Sequence, residues 1–347
     1  MKPALSIIAL GAAGFAAGFF TRGNPVVAEN AAAKAPGVRL DPALRSGDAK
    51  HAMESLRMLA EDDPRAFFKA LDRFPRLEGI KGMVETAARK LAASDPAEAA
   101  KLLNEIANLD YRMAAWPAFL KALQGPTLVE KLAIGRLAKP TYESMLYQAV
   151  VQPSLEKDPE GTLQLLRQKE TITAYGLALG EYGTTHSAQA IDKLKADMAG
   201  GLLKPSSAQW ILKTMAVQSP GPEVLGNIAG MLKGYGWGEG LYAGPIFSET
   251  FEAVAPEGKA AVLDAVDGLL AVQKNFVLSQ IPLADCPDAD TALRVLNSLD
   301  STELQIAALK KLEGSHAAPA MLAAVQAGIT SARTRDLWQA QKGGRGP

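Results

Sequence analysis

Apolar positions recur along this chain in step with proline. Ala70, Leu102, Leu132, Leu165, Ile228, Val262, Leu293 and Val325 each stand six residues after a proline, at Pro64, Pro96, Pro126, Pro159, Pro222, Pro256, Pro287 and Pro319. Those prolines are separated by 32, 30, 33, 63, 34, 31 and 32 residues. The gap of 63 covers two intervals, with a vacant slot near Ala188 whose partner six residues on is Leu194. The residues before the prolines are Asp63, Asp95, Gly125, Asp158, Gly221, Ala255, Cys286 and Ala318. Asp and Gly serve well at a helix N-cap, and proline suits the first helical position because its missing N–H would have no partner there. An apolar residue two turns further in gives each such helix one buried side.

Each interval leaves room for a second helix. About 32 residues at a rise of about 1.5 Å each accommodate two helices of three turns and two short loops. One interval reads as Pro96 to about Asn108, then Arg112 to Leu123 with a break or kink at Pro117. The next reads as Pro126 to about Leu137, then Thr141 to about Glu156, interrupted at Pro153. No segment alternates with period two between hairpin turns, so no sheet is expected. The expectation is an all-α solenoid of about nine helix pairs, preceded by a half-repeat helix over Ala49 to Glu61 and by an N-terminal apolar helix.

LRMLAEDDPRAFFKAL (Leu56 to Leu71) and ARKLAASDPAEAAKLL (Ala88 to Leu103) share an Ala/Leu helix end, an Asp-Pro step and an Ala at the next helix start. In this they resemble tetratricopeptide-type repeats. The resemblance implies a right-handed superhelix with a concave face that binds a ligand. HEAT-like packing of shorter pairs is the structural alternative.

The N-terminus departs from the repeat. Ala4 to Phe20 is a run of 17 residues with Ser6 as its one polar interruption, preceded by Lys2 and closed by Thr21 and Arg22. A secretory signal has an apolar stretch of about 7–15 residues and a spanning helix needs about 20, so this run falls between them. Two outcomes stay open: an uncleaved anchor, or cleavage after Ala28 in Val26-Val27-Ala28. Residues 1–22 read as signal-anchor or signal peptide, 23–48 as a flexible linker, 49–341 as the solenoid and 342–347 as a disordered tail. Either outcome places the solenoid on the extracytoplasmic side, in the periplasm, held by residues 4–20 or released there. Gly14 and Gly18 form a GxxxG that offers a dimer contact on a spanning helix.

Composition narrows the function. At 347 residues the chain is long for one compact core, and a stack of repeats removes that difficulty. Aromatic residues make up 6%, which suits helices packed through small side chains. The 37 basic and 37 acidic residues balance and form no basic stripe, so a nucleic-acid partner is not expected. The single cysteine, Cys286, precludes an intrachain disulfide and reads as a buried thiol at an N-cap.

No catalytic or phosphate-binding motif is present, and no cofactor or metal is expected. His51, His186 and His316 are too far apart in sequence to meet within a solenoid. Asp62-Asp63 reads as helix capping, and Trp116 and Trp210 as core. Two segments interrupt the rhythm: Tyr175 to Gly183, followed by Thr184, Thr185 and His186, and Gly234 to Pro245. The second carries Tyr235, Trp237, Glu239 and Tyr242 among glycines that would each cost a helix about 1 kcal/mol. Tyr and Trp are enriched where proteins make contact, so Tyr235, Trp237, Glu239 and Tyr242, with Tyr175, Tyr182 and His186, are the candidate binding residues. The leading expectation is an interaction scaffold for a protein or peptide, without catalysis. The alternative is an α/α-toroid-type polysaccharide lyase or glycosidase, with Tyr175, Tyr182 and His186 as acid–base groups and Glu181 or Glu239 as a carboxylate.

Overall fold

The computed structural model describes residues 49–71, 79–140, 143–168, 171–234, 243–315 and 319–343. Every regular element among them is helical, and none is long and apolar enough to cross a membrane. The apolar run and linker at residues 1–48 lie outside the described residues. The chain forms two compact units, divided between Ala178 and Leu179.

The first unit opens with α1 (Ala49–Asp62). Leading and trailing helices then alternate: α2 (Pro64–Leu71) with α3 (Ile80–Leu91), and α4 (Pro96–Asn104) with α5 (Leu109–Ala122). Next come α6 (Leu128–Gly135) and a long trailing helix made of α7 (Glu143–Leu146), a π-helical turn (Tyr147–Val151) and α8 (Gln152–Lys157). The leading helix α9 (Pro159–Leu166) follows, and α10 (Ile172–Gly183) runs across the division. Helices pack on the next but one: α1 on α3, α3 on α5, α5 on the π turn, and α2 on α4, α4 on α6, α6 on α9.

The second unit repeats this scheme with α11 (Ser187–Ala199) and α12 (Pro205–Gln218), α13 (Pro222–Gly234) and α14 (Ala243–Ala253), and α15 (Lys259–Asp267) and α16 (Ala271–Gln280). The last pairs are α17 (Ala289–Ser298) with α18 (Thr302–Glu313), and α19 (Pro319–Ala327) with α20 (Ala332–Gly343). Here α11 packs on α13, α13 on α15 and α17 on α19, while α12 packs on α14, α14 on α16 and α18 on α20.

Local chemistry sets the helix starts. Pro64, Pro96, Pro159, Pro222 and Pro319 are first residues of helices. The Asp95 carboxylate accepts from the Ala97 and Glu98 N–H groups, Asp63 from Ala66 and Asp158 from Gly161. Gly125 and Cys286 are not the caps expected of them. Thr127 starts α6 in a reciprocal capping box with Glu130, and Asp288 starts α17 by accepting from Thr291 N–H. Both have an oxygen that reaches an N3 amide, which glycine lacks and a buried thiol does poorly. Pro256 opens a 3-10 turn (Pro256–Gly258) ahead of α15.

The apolar position six residues on is fully buried at Leu132, Ile228, Val262, Val325 and Leu194. Leu165 departs, being 50% exposed, while Leu163 and Leu166 are buried. Six residues turn a helix by about 600°, so the position falls at the edge of the buried stripe and a small rotation of α9 turns it out. Neither internal proline breaks its helix. Pro117 lies inside α5, and Pro153 follows the π turn, where Gln152 N–H reaches back five residues to the Tyr147 carbonyl. That wider turn makes room for a proline ring that would clash in a regular helix.

Side chains tie successive pairs together. Asn104 Nδ2 donates to the Leu137 carbonyl at 2.8 Å, and its Oδ1 accepts from Lys139 N–H at 2.9 Å. Asn297 repeats the clip, donating to Gly328 at 3.2 Å and accepting from Thr330 at 3.1 Å. In both, an asparagine at the end of a leading helix holds the loop of the following pair. Arg294 on α17 bridges Asp264 and Asp267 on α15, and Lys274 also pairs with Asp267. Burial opposes ionisation of Asp267, but hydrogen bonds from Lys274 and Arg294 outweigh it and hold the carboxyl below its ordinary value.

Candidate functional site

The stretch Tyr175 to Gly183, expected to interrupt the repeat, is the body of α10. Its glycines serve packing. A Cβ on Gly183 would lie 2.6 Å from the Met215 sulfur, and one on Gly180 would lie 3.2 Å from Thr214 Cγ2, so α12 approaches too closely for larger residues. Tyr175 is 1% exposed and belongs to the core of the first unit. Tyr182, in the second unit, is buried and stacks on His186 with ring centres 4.6 Å apart and planes 5° from parallel. His186 is exposed, occupies the N-cap position of α11 without a side-chain cap, and has Nδ1 2.8 Å from the Thr185 hydroxyl. Glu181 is half-buried on the same helix. The structure thus brings Tyr182 and His186 together.

Tyr235, Trp237, Glu239 and Tyr242 lie outside the described residues, in the connection between α13 and α14. The flanks of the Gly234–Pro245 segment are helical: Gly234 ends α13, and Ala243, Gly244 and Pro245 begin α14. Of the tryptophans assigned to the core, Trp116 is fully buried and Trp210 half-buried.

Cys286 is buried beside Lys259, whose Nζ donates to the Asp285 carbonyl and lies 4.6 Å from the Phe251 ring centre. Burial pushes the thiol up to about 12, against the opposing charge of Lys259, so sulfur stays protonated. No cluster of three or more His, Cys, Asp or Glu suited to a metal occurs among the described residues. A shallow open depression is lined by Gly125, Pro126, Glu130, Ala133 and Ile134.

The exposed apolar side chains have an order that sequence reasoning missed. Among the described residues, seven large apolar side chains are exposed. Five of them, Leu109, Leu137, Leu165, Leu270 and Val272, lie within two residues of a connection between leading and trailing helices of one pair. None lies at a connection between pairs. In the first unit, Leu109, Leu137 and Leu165 belong to three consecutive pairs. The Asn104 clip, with Arg112 donating to the Lys139 carbonyl, places the first two on adjoining loops. A signal existed in the sequence: these three leucines are 28 residues apart, an even spacing slightly shorter than that of the helix-start prolines.

No family model, no curated protein and no solved structure matches this chain.

Proposed function

We propose that the chain is an exported, membrane-tethered helical-repeat scaffold that binds a protein or peptide partner and performs no catalysis. The observation that carries this reading is the recurrence of one joint. Asn104 and Asn297 clip the loop of the following pair in the same way, 33 and 31 residues from the carbonyl they hold. Next-but-one helix packing within each unit supports it as well. Stacks of this kind bury each pair on its neighbours and leave a long surface for partners. Residues 4–20 supply the tether and residues 23–48 the linker. Tyr235, Trp237, Glu239 and Tyr242 form the partner contact, with the exposed ring of His186 on Tyr182 as the second candidate surface.

The test is affinity capture with the full chain from detergent-solubilised membranes, beside a Tyr235→Ala/Trp237→Ala variant. A partner retained by the native chain and lost from the variant is expected. Absence of any partner from both would refute the binding role.

A further inference from the structure

We propose that the loop edge of the first unit, carrying Leu109, Leu137 and Leu165, lies against the lipid surface. This rests on the membrane-tether reading of residues 4–20. The three leucines are 42%, 47% and 50% exposed, one on each of three consecutive pairs and all at within-pair connections. Single large apolar side chains at successive loops, with no counterpart at the opposite connections among the described residues, suit insertion among headgroups better than closure of a core.

The entry point of the chain selects lipid as the occupant. A Cβ on Gly79, the N-cap of α3, would lie 3.7 Å from Met53 Cε in the first turns of α1. The starts of α1 and α3 are therefore neighbours, and α1 begins at the within-pair edge. Residues 1–48 enter there, with the apolar run Ala4 to Phe20 at their head. On the tether reading, the 26 residues from 23 to 48 would span about 28 Å on average as a random coil. They therefore keep this edge nearer the bilayer on average than the opposite one, which lies about 20 Å further along the helices. Charge adds little to the choice: exposed Lys139 and Arg167 are offset by exposed Glu105 and Asp110. The apolar side chains carry the contact, so it does not depend on salt.

The sole native cysteine is buried and protonated, so a thiol introduced at the surface can be labelled selectively. The full chain is reconstituted with vesicles of phosphatidylcholine and phosphatidylglycerol containing a headgroup-quencher lipid. A fluorophore is placed in turn at Leu109→Cys, Leu137→Cys and Leu165→Cys, and at Ala93→Cys and Gln124→Cys on the between-pair side. Several-fold stronger quenching at the leucine positions, unchanged by added salt, is expected. Equal quenching at both sets, in a chain that floats with the vesicles, overturns this proposal and leaves the tether intact. A chain that fails to float overturns both. Leucine-site labels that escape the quencher but become shielded when a captured protein is added assign the edge to a protein and overturn the lipid contact.

Discussion

At the scale of single residues, Cys286 shows how position governs chemistry. A thiol near a helix N-terminus can be activated, but this one is buried against the 282–285 turn, where its thiolate form would lose its water. Below its ordinary value of 9.0 the thiol is protonated in both folded and unfolded chains, and its contribution to stability is complete. Between 9.0 and about 12 the unfolded chain releases a proton that the folded chain retains, so stability falls as pH rises through that window. Chemical denaturation of native and Cys286→Ala protein across this range should show the steeper alkaline decline in the native chain; parallel curves would mean the thiol is not sealed. Thiol reagents at neutral pH should likewise label Cys286 only as the protein unfolds. The sequence revealed one solitary cysteine beside a proline. Its inertness comes from burial, which outweighs the opposing charge of Lys259, and that burial is a tertiary fact. Tyr175 carries the same lesson, since the glycine-bearing stretch it opens read as an interruption of the repeat and is a helix that packs closely through Gly180 and Gly183.

Among the elements, the clips and the glycines separate two kinds of local rule. Each clip joins two backbone groups of one loop to one side chain, and a net hydrogen bond contributes about 0.5–1.5 kcal/mol. Asn104→Ala and Asn297→Ala should each cost about 1–3 kcal/mol in chemical denaturation, with hydrogen exchange speeding first at Lys139 and Thr330 respectively. Asn→Asp at either site should cost no less, because a carboxylate accepts the amide but repels the carbonyl. The glycines predict opposite signs on two helices. Gly226 and Gly230 of α13 are exposed, and a Cβ added at either would meet no atom within 4 Å, so Gly230→Ala should stabilise by up to about 1 kcal/mol through helix propensity. Gly183→Ala gains the same propensity but meets Met215, and overpacking of about 1–3 kcal/mol should make it destabilising. Thermal melts of the two variants should move in opposite directions. Helix starts were legible because proline and aspartate act within four residues of themselves. The clips were not, because their partners lie a whole repeat away and asparagine also suits a cap or a turn.

For the whole molecule, the all-helical character was readable from the absence of period-two alternation, and every regular element among the described residues is helical. The exposed leucine edge was not readable, because leucine at a helix end carries no mark of which way it faces until the helix has a neighbour. A stack makes a further demand on energetics: each pair is stabilised by itself and by its neighbours, so damage should stay local. Phe247 is fully buried in α14, and α14 packs on α12 and α16. Phe247→Ala should cost about 3–5 kcal/mol. In native-state hydrogen exchange the loss of protection should be greatest across α13 to α16 and fade toward α18 and α20 within the second unit. In a single cooperative core every amide of the unit would lose the same amount, because each would exchange only through one global opening. A graded profile centred on α14 therefore supports nearest-neighbour stacking, and a flat one would remove the physical basis for reading this chain as a scaffold of repeats.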